Sequence, residues 1–147
     1  MSDLAETLKT IVEDSWSDGN LTRAKKSRIQ FTATKTLAKQ VSKPYTVEFT
    51  RISSQSKHLT PNLRLNRETI QIDIWVKPQA QTYQALKDAL QDRFEIEREV
   101  KRIINEKRTN IPNTLYTTVT RTIHRDELEE EPTILHTTLE AEATYTT

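Results

Sequence analysis

The sequence predicts an α+β fold in which one long helix packs on a face of a mainly antiparallel β-sheet. Three observations support this class: an amphipathic segment opens the chain, alternating residues mark pairs of strands, and a long run of helix formers separates those pairs. The predicted order is α-β-β-α-β-β. We expect the 147 residues to form a single domain over 1–147, because that length suits one hydrophobic core. The sheet and the long helix should occupy about residues 45–147.

The first helix is predicted over residues 3–16. Asp3 and Glu6 have the spacing of a capping box, in which two side chains satisfy backbone N–H groups at a helix start. The apolar residues of this segment share one helical face: Leu4, Leu8, Ile11 and Val12. Gly19, the only glycine of the chain, follows the helix and is expected to take the left-handed conformation that ends many helices.

Alternation of apolar and polar residues predicts the strands. A strand is expected over 45–52, and residues 28–34 also alternate, which would add a short strand before it as the alternative to an irregular segment. The clearest alternation puts four side chains on one face: Ile70, Ile72, Ile74 and Val76. Two further strands are expected at 115–124 and 134–146, where β-branched threonines suit a pleated surface.

Residues 80–107 predict a long helix. Its apolar stripe is irregular at Phe94, so two shorter helices with a bend are the alternative. The isoleucine face of the sheet is expected to pack against this helix through Leu86, Leu90 and Val100. Residues 53–67 are polar and contain Pro61, and they predict a long loop of the kind that is usually functional or mobile. An acidic connection, residues 126–132, joins the last two strands.

The composition excludes several classes of chemistry. Without cysteine the chain has no disulfide, zinc–thiolate site or cysteine nucleophile, and with a single glycine it has no Gly-rich phosphate-binding loop. Its longest apolar run is far shorter than the roughly 18 residues of a membrane-spanning helix, and Met1-Ser2-Asp3 does not begin a secretory signal. We therefore expect no enzymatic activity, no cofactor and no membrane partner.

Charge is distributed unevenly along a chain whose net charge is only +1. Residues 19–67 contain eleven basic residues and one acid, Glu48, whereas residues 126–142 contain seven acids and neither lysine nor arginine. The basic segment is either a solvated surface or a surface that neutralises nucleic-acid phosphates without reading the sequence. Its aromatic residues are too few for a dedicated single-strand binder. The acidic segment is either a solvated loop or a docking surface.

Two histidines, His124 and His136, lie near facing ends of the last two predicted strands, close to Asp126 and Glu140. Two imidazoles and a carboxylate can form a metal-ligand set. The spacing matches no compact metal-binding motif, however, and histidine is common on exposed strand faces. We therefore predict no metal site, and metal binding is the less favoured alternative.

A second set, Glu48, Asp73 and Lys77, has the residue types with which metal-dependent nucleases hold a metal ion and a water. The acid expected two residues before the lysine is absent, because Trp75 occupies that position. The alternative is that Glu48 and Asp73 are cross-strand residues on a solvent face. We therefore assign no catalytic residue.

Trp75 belongs to the strand face opposite the isoleucines. An exposed tryptophan beside a lean core would indicate an interface. Burial beneath the N-terminal helix is the alternative, and the alternation is compatible with either position.

Several stretches within residues 43–147 resemble the tail terminator, or tail-completion, proteins that join head and tail in tailed viruses. The resemblance rests on residues 43–49 (KPYTVEF), 72–75 (IDIW) and 99–104 (EVKRII), and on a closing strand at 134–145. It implies a non-enzymatic virion protein, made in the host cytoplasm, that forms a ring, usually a hexamer, at the head–tail junction. Its partners would be its own copies, the tail tube protein, the head connector protein, and DNA that passes through without sequence recognition.

The resemblance and the charge pattern together suggest the contacts of such a ring. The residues expected to face DNA are Lys57, Arg64 and Arg67. Those expected between subunits are Trp75, Glu129, Glu130 and Glu131. If the basic segment of one copy contacts the acidic segment of the next copy, like charges do not face each other. Repetition of that contact from copy to copy can close a ring. The alternative function is a small, non-enzymatic nucleic-acid-binding protein that uses residues 19–67.

Overall fold

The computed structural model of the protein describes residues 3–33, 43–126 and 134–147. Within these residues two α-helices pack with a five-stranded sheet, which confirms the α+β class. The elements in chain order are α1 (Leu4–Asp14), β1 (Ile29–Thr32), β2 (Tyr45–Thr60), β3 (Leu63–Val76), α2 (Tyr83–Glu106), β4 (Tyr116–His124) and β5 (Leu135–Thr146). Short 3₁₀ turns at Asp18–Asn20 and Lys26–Arg28 lie between α1 and β1.

The sheet has the strand order β1-β2-β3-β5-β4. β1 runs parallel to β2, and the other neighbouring strands are antiparallel, as predicted. β1 pairs only with residues 45–48 of β2. In the described part of the chain no strand pairs with the outer side of β2 beyond Glu48, or with the outer side of β4. Within the described residues the sheet therefore has two open edges, one at β2 and one at β4.

Both helices lie on one face of the sheet, which we call the helix face. Cross-strand partners share a face, so the register of Phe49, Ile72 and Leu139 puts three fully buried side chains side by side. Tyr45 belongs to the same face, and its Oη donates a hydrogen bond of 2.7 Å to Asp92 of α2. α1 packs against β2 and α2, so it covers the same face. The predicted isoleucine face is therefore the core face of the sheet.

α2 is one continuous helix of 24 residues, not two shorter ones. Thr82 caps its start, because Thr82 Oγ1 accepts a hydrogen bond of 3.2 Å from the backbone N–H of Ala85. Val100 is buried, as predicted. The contact predicted for Leu90 is wrong: Leu90 is 41% exposed and Phe94 is 56% exposed, so both lie on the solvent side of α2, whereas Ala89 and Ile96 are buried.

The loop predicted over residues 53–67 is wrong, because these residues belong to strands. β2 and β3 form one long hairpin, and only Pro61 and Asn62 lie between the strands. Alternation gives no signal where both faces are exposed, since neither set of side chains needs to be apolar. Backbone pairing with β3, rather than burial, keeps this part of β2 extended.

The N-terminal helix is slightly shorter than the predicted 3–16 and ends at Asp14. Asp3 is its N-cap, but its Oδ1 accepts a hydrogen bond of 3.0 Å from Ala5 N–H rather than from Glu6 N–H, the bond of the predicted capping box. Gly19 does not take the left-handed conformation, because the helix has already ended and Gly19 lies in a 3₁₀ turn. None of the helices in the described residues is both long and apolar enough to cross a membrane.

Candidate functional site

The hairpin of β2 and β3 is exposed at its far end, where every residue from 51 to 64 is open to solvent. β5 accompanies β3 only as far as Arg64, whose backbone exchanges hydrogen bonds of 2.9 and 3.0 Å with Thr147. Beyond this point the hairpin has no neighbouring strand in the described chain. We call residues 57–64 (KHLTPNLR) the hairpin tip.

The hairpin tip is both basic and apolar. Leu59 is 50% exposed and Leu63 is 39% exposed. Lys57 and Arg64 form no side-chain ion pair within the described residues. Such a surface, with apolar side chains between uncompensated cations, is suited to contact with another macromolecule.

The three residues expected to face DNA do not share one surface. The register places Lys57 and Arg67 on the face opposite the helices, which we call the polar face, whereas Arg64 lies on the helix face. Arg67 also approaches Glu142, with its Nε 4.0 Å from Glu142 Oε1. The cations on the polar face are therefore Lys57, which has no acid partner in the described chain, and Arg67, which has one.

Part of the basic segment 19–67 is used inside the fold. Arg23 Nη2 forms an ion pair of 2.9 Å with Asp92 Oδ1 of α2, and Arg51 Nη1 lies 3.4 Å from Glu68 Oε1. Acids that follow much later in the sequence thus neutralise cations of this segment. The basic surface left to a partner is smaller than the local charge of the sequence indicates.

A row of buried acids on α2 binds the segment between α1 and β1. Its members are Asp92, Glu95 and Glu99. Glu99 Oε2 accepts a hydrogen bond of 3.0 Å from Ser17 N–H, and Glu95 Oε1 accepts one of 3.0 Å from Thr22 Oγ1. Burial would raise the pKa of Glu99, but the hydrogen bonds from Arg102 and Ser17 hold it below its ordinary value. This row was not predicted from the sequence, although acids three and four residues apart share one helix face.

The two histidines point to opposite faces of the sheet. His124 pairs in register with Thr137, the residue next to His136, and successive side chains of a strand alternate between faces. His124 Nε2 lies 2.9 Å from Glu97 Oε1, whereas His136 Nε2 lies 2.7 Å from Asp73 Oδ1. Among the residues that the structure describes, no three histidines or acids are grouped so that they could hold a metal ion.

Glu48 and Asp73 are cross-strand partners, as one alternative expected, but they are buried rather than on a solvent face. Asp73 Oδ1 accepts hydrogen bonds from His136 Nε2 and from Thr138 Oγ1 at 2.8 Å, and Oδ2 accepts one of 2.8 Å from Gln71 Nε2. Burial would raise the pKa of Asp73, but these hydrogen bonds lower it below its ordinary value. The carboxylate thus joins β3 to β5 through polar contacts. Burial also lowers the pKa of Lys77.

Trp75 is half-buried on the polar face. Its ring stacks on that of His136, with centroids 3.6 Å apart and planes 10° from parallel. Burial beneath the N-terminal helix is therefore wrong, because α1 lies on the other face. The remaining residues predicted between subunits lie outside the described residues: Glu129, Glu130 and Glu131.

A pocket of about 630 Å³ opens on the helix face near the base of the hairpin. Its walls come from the first turns of α1, the loop before β4 and the sheet. The lining includes Leu4, Arg51, Glu68, Pro112, Leu115 and Tyr145. The carboxylate of Glu68 lies in the wall of this pocket and accepts a hydrogen bond of 3.2 Å from Tyr145 Oη. Leu115 is 57% exposed. This pocket was not predictable from the sequence, because its walls are brought together only by the fold.

No protein-family model matches this chain, and none of the curated proteins matches it either. The fold and the site define an α+β domain with an open-edged sheet, an exposed hairpin tip and a partly apolar pocket.

Proposed function

We propose that the protein is a non-enzymatic structural protein of the tail terminator type, which assembles into a ring at the head–tail junction of a tailed virus. The observation that carries this proposal is the pair of open edges of the sheet, at β2 and β4. These edges lie on opposite sides of the same sheet. The sheet of one copy can therefore be extended by a strand of another copy on each side.

An open edge presents a row of backbone N–H and C=O groups that can pair with another strand. A contact between the β2 edge of one copy and the β4 edge of the next joins two different surfaces. Contacts of this kind repeat from copy to copy, and they give a ring when the rotation closes. The hexamer is the size implied by the resemblance to tail terminators.

The place in the virion follows from the same resemblance. The ring would lie between the tail tube protein and the head connector protein, and DNA would pass through it. Lys57 and Arg67 share the polar face, and we propose that this face turns towards the DNA. Contacts of lysine and arginine to phosphate are independent of sequence, which suits a passage for any genome segment.

The mass of the purified protein in solution tests this proposal. Light scattering at low salt should give about six times the 17.1 kDa of one chain, and electron microscopy should show closed rings with a central hole. A mass of one chain at high protein concentration and low salt would overturn the proposal.

A pair of matched variants tests the β2 edge. Ile52 is 46% exposed and lies in β2 beyond the part paired with β1. The variant Ile52→Asp places a charge at this edge and should lower the mass. Tyr83→Asp is the control, because Tyr83 is 81% exposed in the first turn of α2 and belongs to neither edge strand, and it should leave the mass unchanged.

The second candidate is a small nucleic-acid-binding protein, and the observation that favours it is the hairpin tip, whose two cations have no ion-pair partner in the described chain. Fluorescence anisotropy with duplex DNA tests it. Binding by a single chain, weakened in Lys57→Gln with Arg64→Gln and unchanged in Lys87→Gln, would favour this candidate. Its salt dependence should fall by about one counterion per lost phosphate contact.

A further inference from the structure

We propose that β4 of one copy pairs antiparallel with the outer side of β2 of the next copy, displaced towards the hairpin tip. In this register Tyr116 lies opposite Leu59, and Ile123 lies opposite Ile52. The inference rests on the proposed ring and names the direction, the register and the apolar contacts of its subunit interface.

The direction of the pairing follows from the strands of one copy. β2 pairs antiparallel with β3, β3 with β5, and β5 with β4, so β4 runs opposite to β2. Copies that follow one another around a ring keep the same orientation. β4 of one copy therefore also runs opposite to β2 of the next copy, and the two edges form an antiparallel ladder.

β1 forces a displacement between the copies. The register through β5 and β3 places Tyr116 level with Gln55, and His124 level with Val47, of the same copy. β1 already pairs with residues 45–48 of β2, so the place level with His124 is occupied in the next copy. β4 must therefore shift towards the hairpin tip, where the outer side of β2 has no partner strand in the described chain.

Exposed apolar side chains select the size of this displacement. Those that lie on the two edges or beside their ends, within the described chain, are Ile52, Leu59, Leu63, Leu115 and Tyr116. A displacement from Gln55 to Leu59, which is about 13 Å along the strand, brings Tyr116 opposite Leu59. The same displacement brings the half-buried Ile123 opposite Ile52. Apolar surface is then removed from water at both ends of the interface, which favours association.

The faces of the sheet agree with this register. Leu63 lies on the polar face with Arg67, because every second residue of a strand shares a face. Tyr116 lies on the same face through its register with Thr144 and Arg67. Leu63 can therefore contact Tyr116 across the interface. A two-fold contact between two β2 edges would leave Leu115 and Tyr116 in solvent, which favours β4 as the occupant of the β2 edge.

Cysteine cross-linking tests the register, and the natural chain contains no cysteine. The variant with Leu59→Cys and Tyr116→Cys, treated with a short bis-maleimide, should give a ladder of covalently joined chains on a denaturing gel. The matched control carries Ile52→Cys and Tyr116→Cys. It should give no ladder, because these positions of neighbouring copies would lie about 23 Å apart along the strands. Leu59→Cys alone should give no cross-linked product, because the contact joins two different edges.

Paired charges give a second measurement that does not depend on cross-linking. Leu59→Asp and Tyr116→Lys should each lower the mass measured by light scattering. The chain that carries both should recover it, because opposite charges then meet between copies. The chain with Leu59→Asp and Ile123→Lys should not recover it. Circular dichroism melting shows that each variant is folded before its mass is compared.

The outcomes separate this inference from the proposed function. A six-chain mass with a ladder from the Leu59 and Tyr116 pair supports both. A six-chain mass without that ladder, or without recovery in the Leu59→Asp and Tyr116→Lys chain, overturns the register and leaves the ring standing. The predicted ladder from open filaments of varied length supports the register and overturns the ring. A single-chain mass, or two-chain products from Leu59→Cys alone, overturns both.

Discussion

Ile72→Ala is the most direct test of the hydrophobic core between the sheet and the helices. Ile72 is fully buried in β3, between Phe49 of β2 and Leu139 of β5, which are also fully buried. Truncation removes buried methyl and methylene groups and leaves a cavity, which costs about 2–5 kcal/mol. Because paired strands on both sides limit collapse of the cavity, we expect about 4 kcal/mol, in the upper part of that range. The melting temperature should fall by about 2–4 °C per kcal/mol.

Urea unfolding followed by circular dichroism measures this change, with all variants at one protein concentration, because assembly also adds stability. Leu90→Ala is the matched control. It makes a similar truncation at a residue of α2 that is 41% exposed, and exposed positions usually change stability by less than about 0.5 kcal/mol. A loss below about 1 kcal/mol for Ile72→Ala, or equal losses for both variants, would contradict the burial of Ile72 and the register of β3, since a buried isoleucine should cost at least about 2 kcal/mol.

Three further predictions concern charged groups. The folded-state pKa of Glu99 lies below its ordinary value of 4.5, so its contribution to stability is present above that value and is lost as the pH falls through the folded pKa. Glu99→Gln should therefore destabilise the protein near neutral pH, and calorimetry should show the difference shrinking on acidification. His124→Ala and Asp73→Ala should reduce the stability of the protein, and loss of the buried Asp73 carboxylate should cost about 1–3 kcal/mol. Elemental analysis should find no stoichiometric zinc, manganese or magnesium in the unmodified protein. Higher salt should weaken assembly, because charges farther apart than about 8–10 Å are screened at physiological ionic strength. Light scattering should also show impaired assembly when three acids are reversed to lysine: Glu129, Glu130 and Glu131.

Much of the fold could be predicted from the sequence because most elements have a local signature. The isoleucines of β3 alternate with polar residues, and this pattern is explained by one face that packs against helices. The capping residue Asp3 and the run of helix formers in α2 likewise act over a few residues. The distal hairpin has no such signature, because both of its faces are exposed and its extended conformation depends on pairing between two segments.

Much less of the candidate site than of the fold could be predicted from the sequence. Lys57, Arg64 and Arg67 are basic in any conformation, but only the strand register places two of them on one face and Arg64 on the other. The local excess of positive charge over residues 19–67 also overstated the available basic surface. Arg23 and Arg51 meet acids of α2 and β3, and neither pairing has a signal in the sequence around the two arginines.

By itself, the sequence determined the class of the fold, the order of its main elements and the chemistry that the chain lacks, because composition and periodicity are properties of single segments. Only the tertiary structure decided which side chains meet. His124 and His136 are twelve residues apart in the sequence, yet the pairing of β4 with β5 directs them to opposite faces and to different carboxylates. A shift of one residue in register moves every side chain of a strand to the other face. The register between two paired strands is not written in either strand alone, and it sets the contacts of the site.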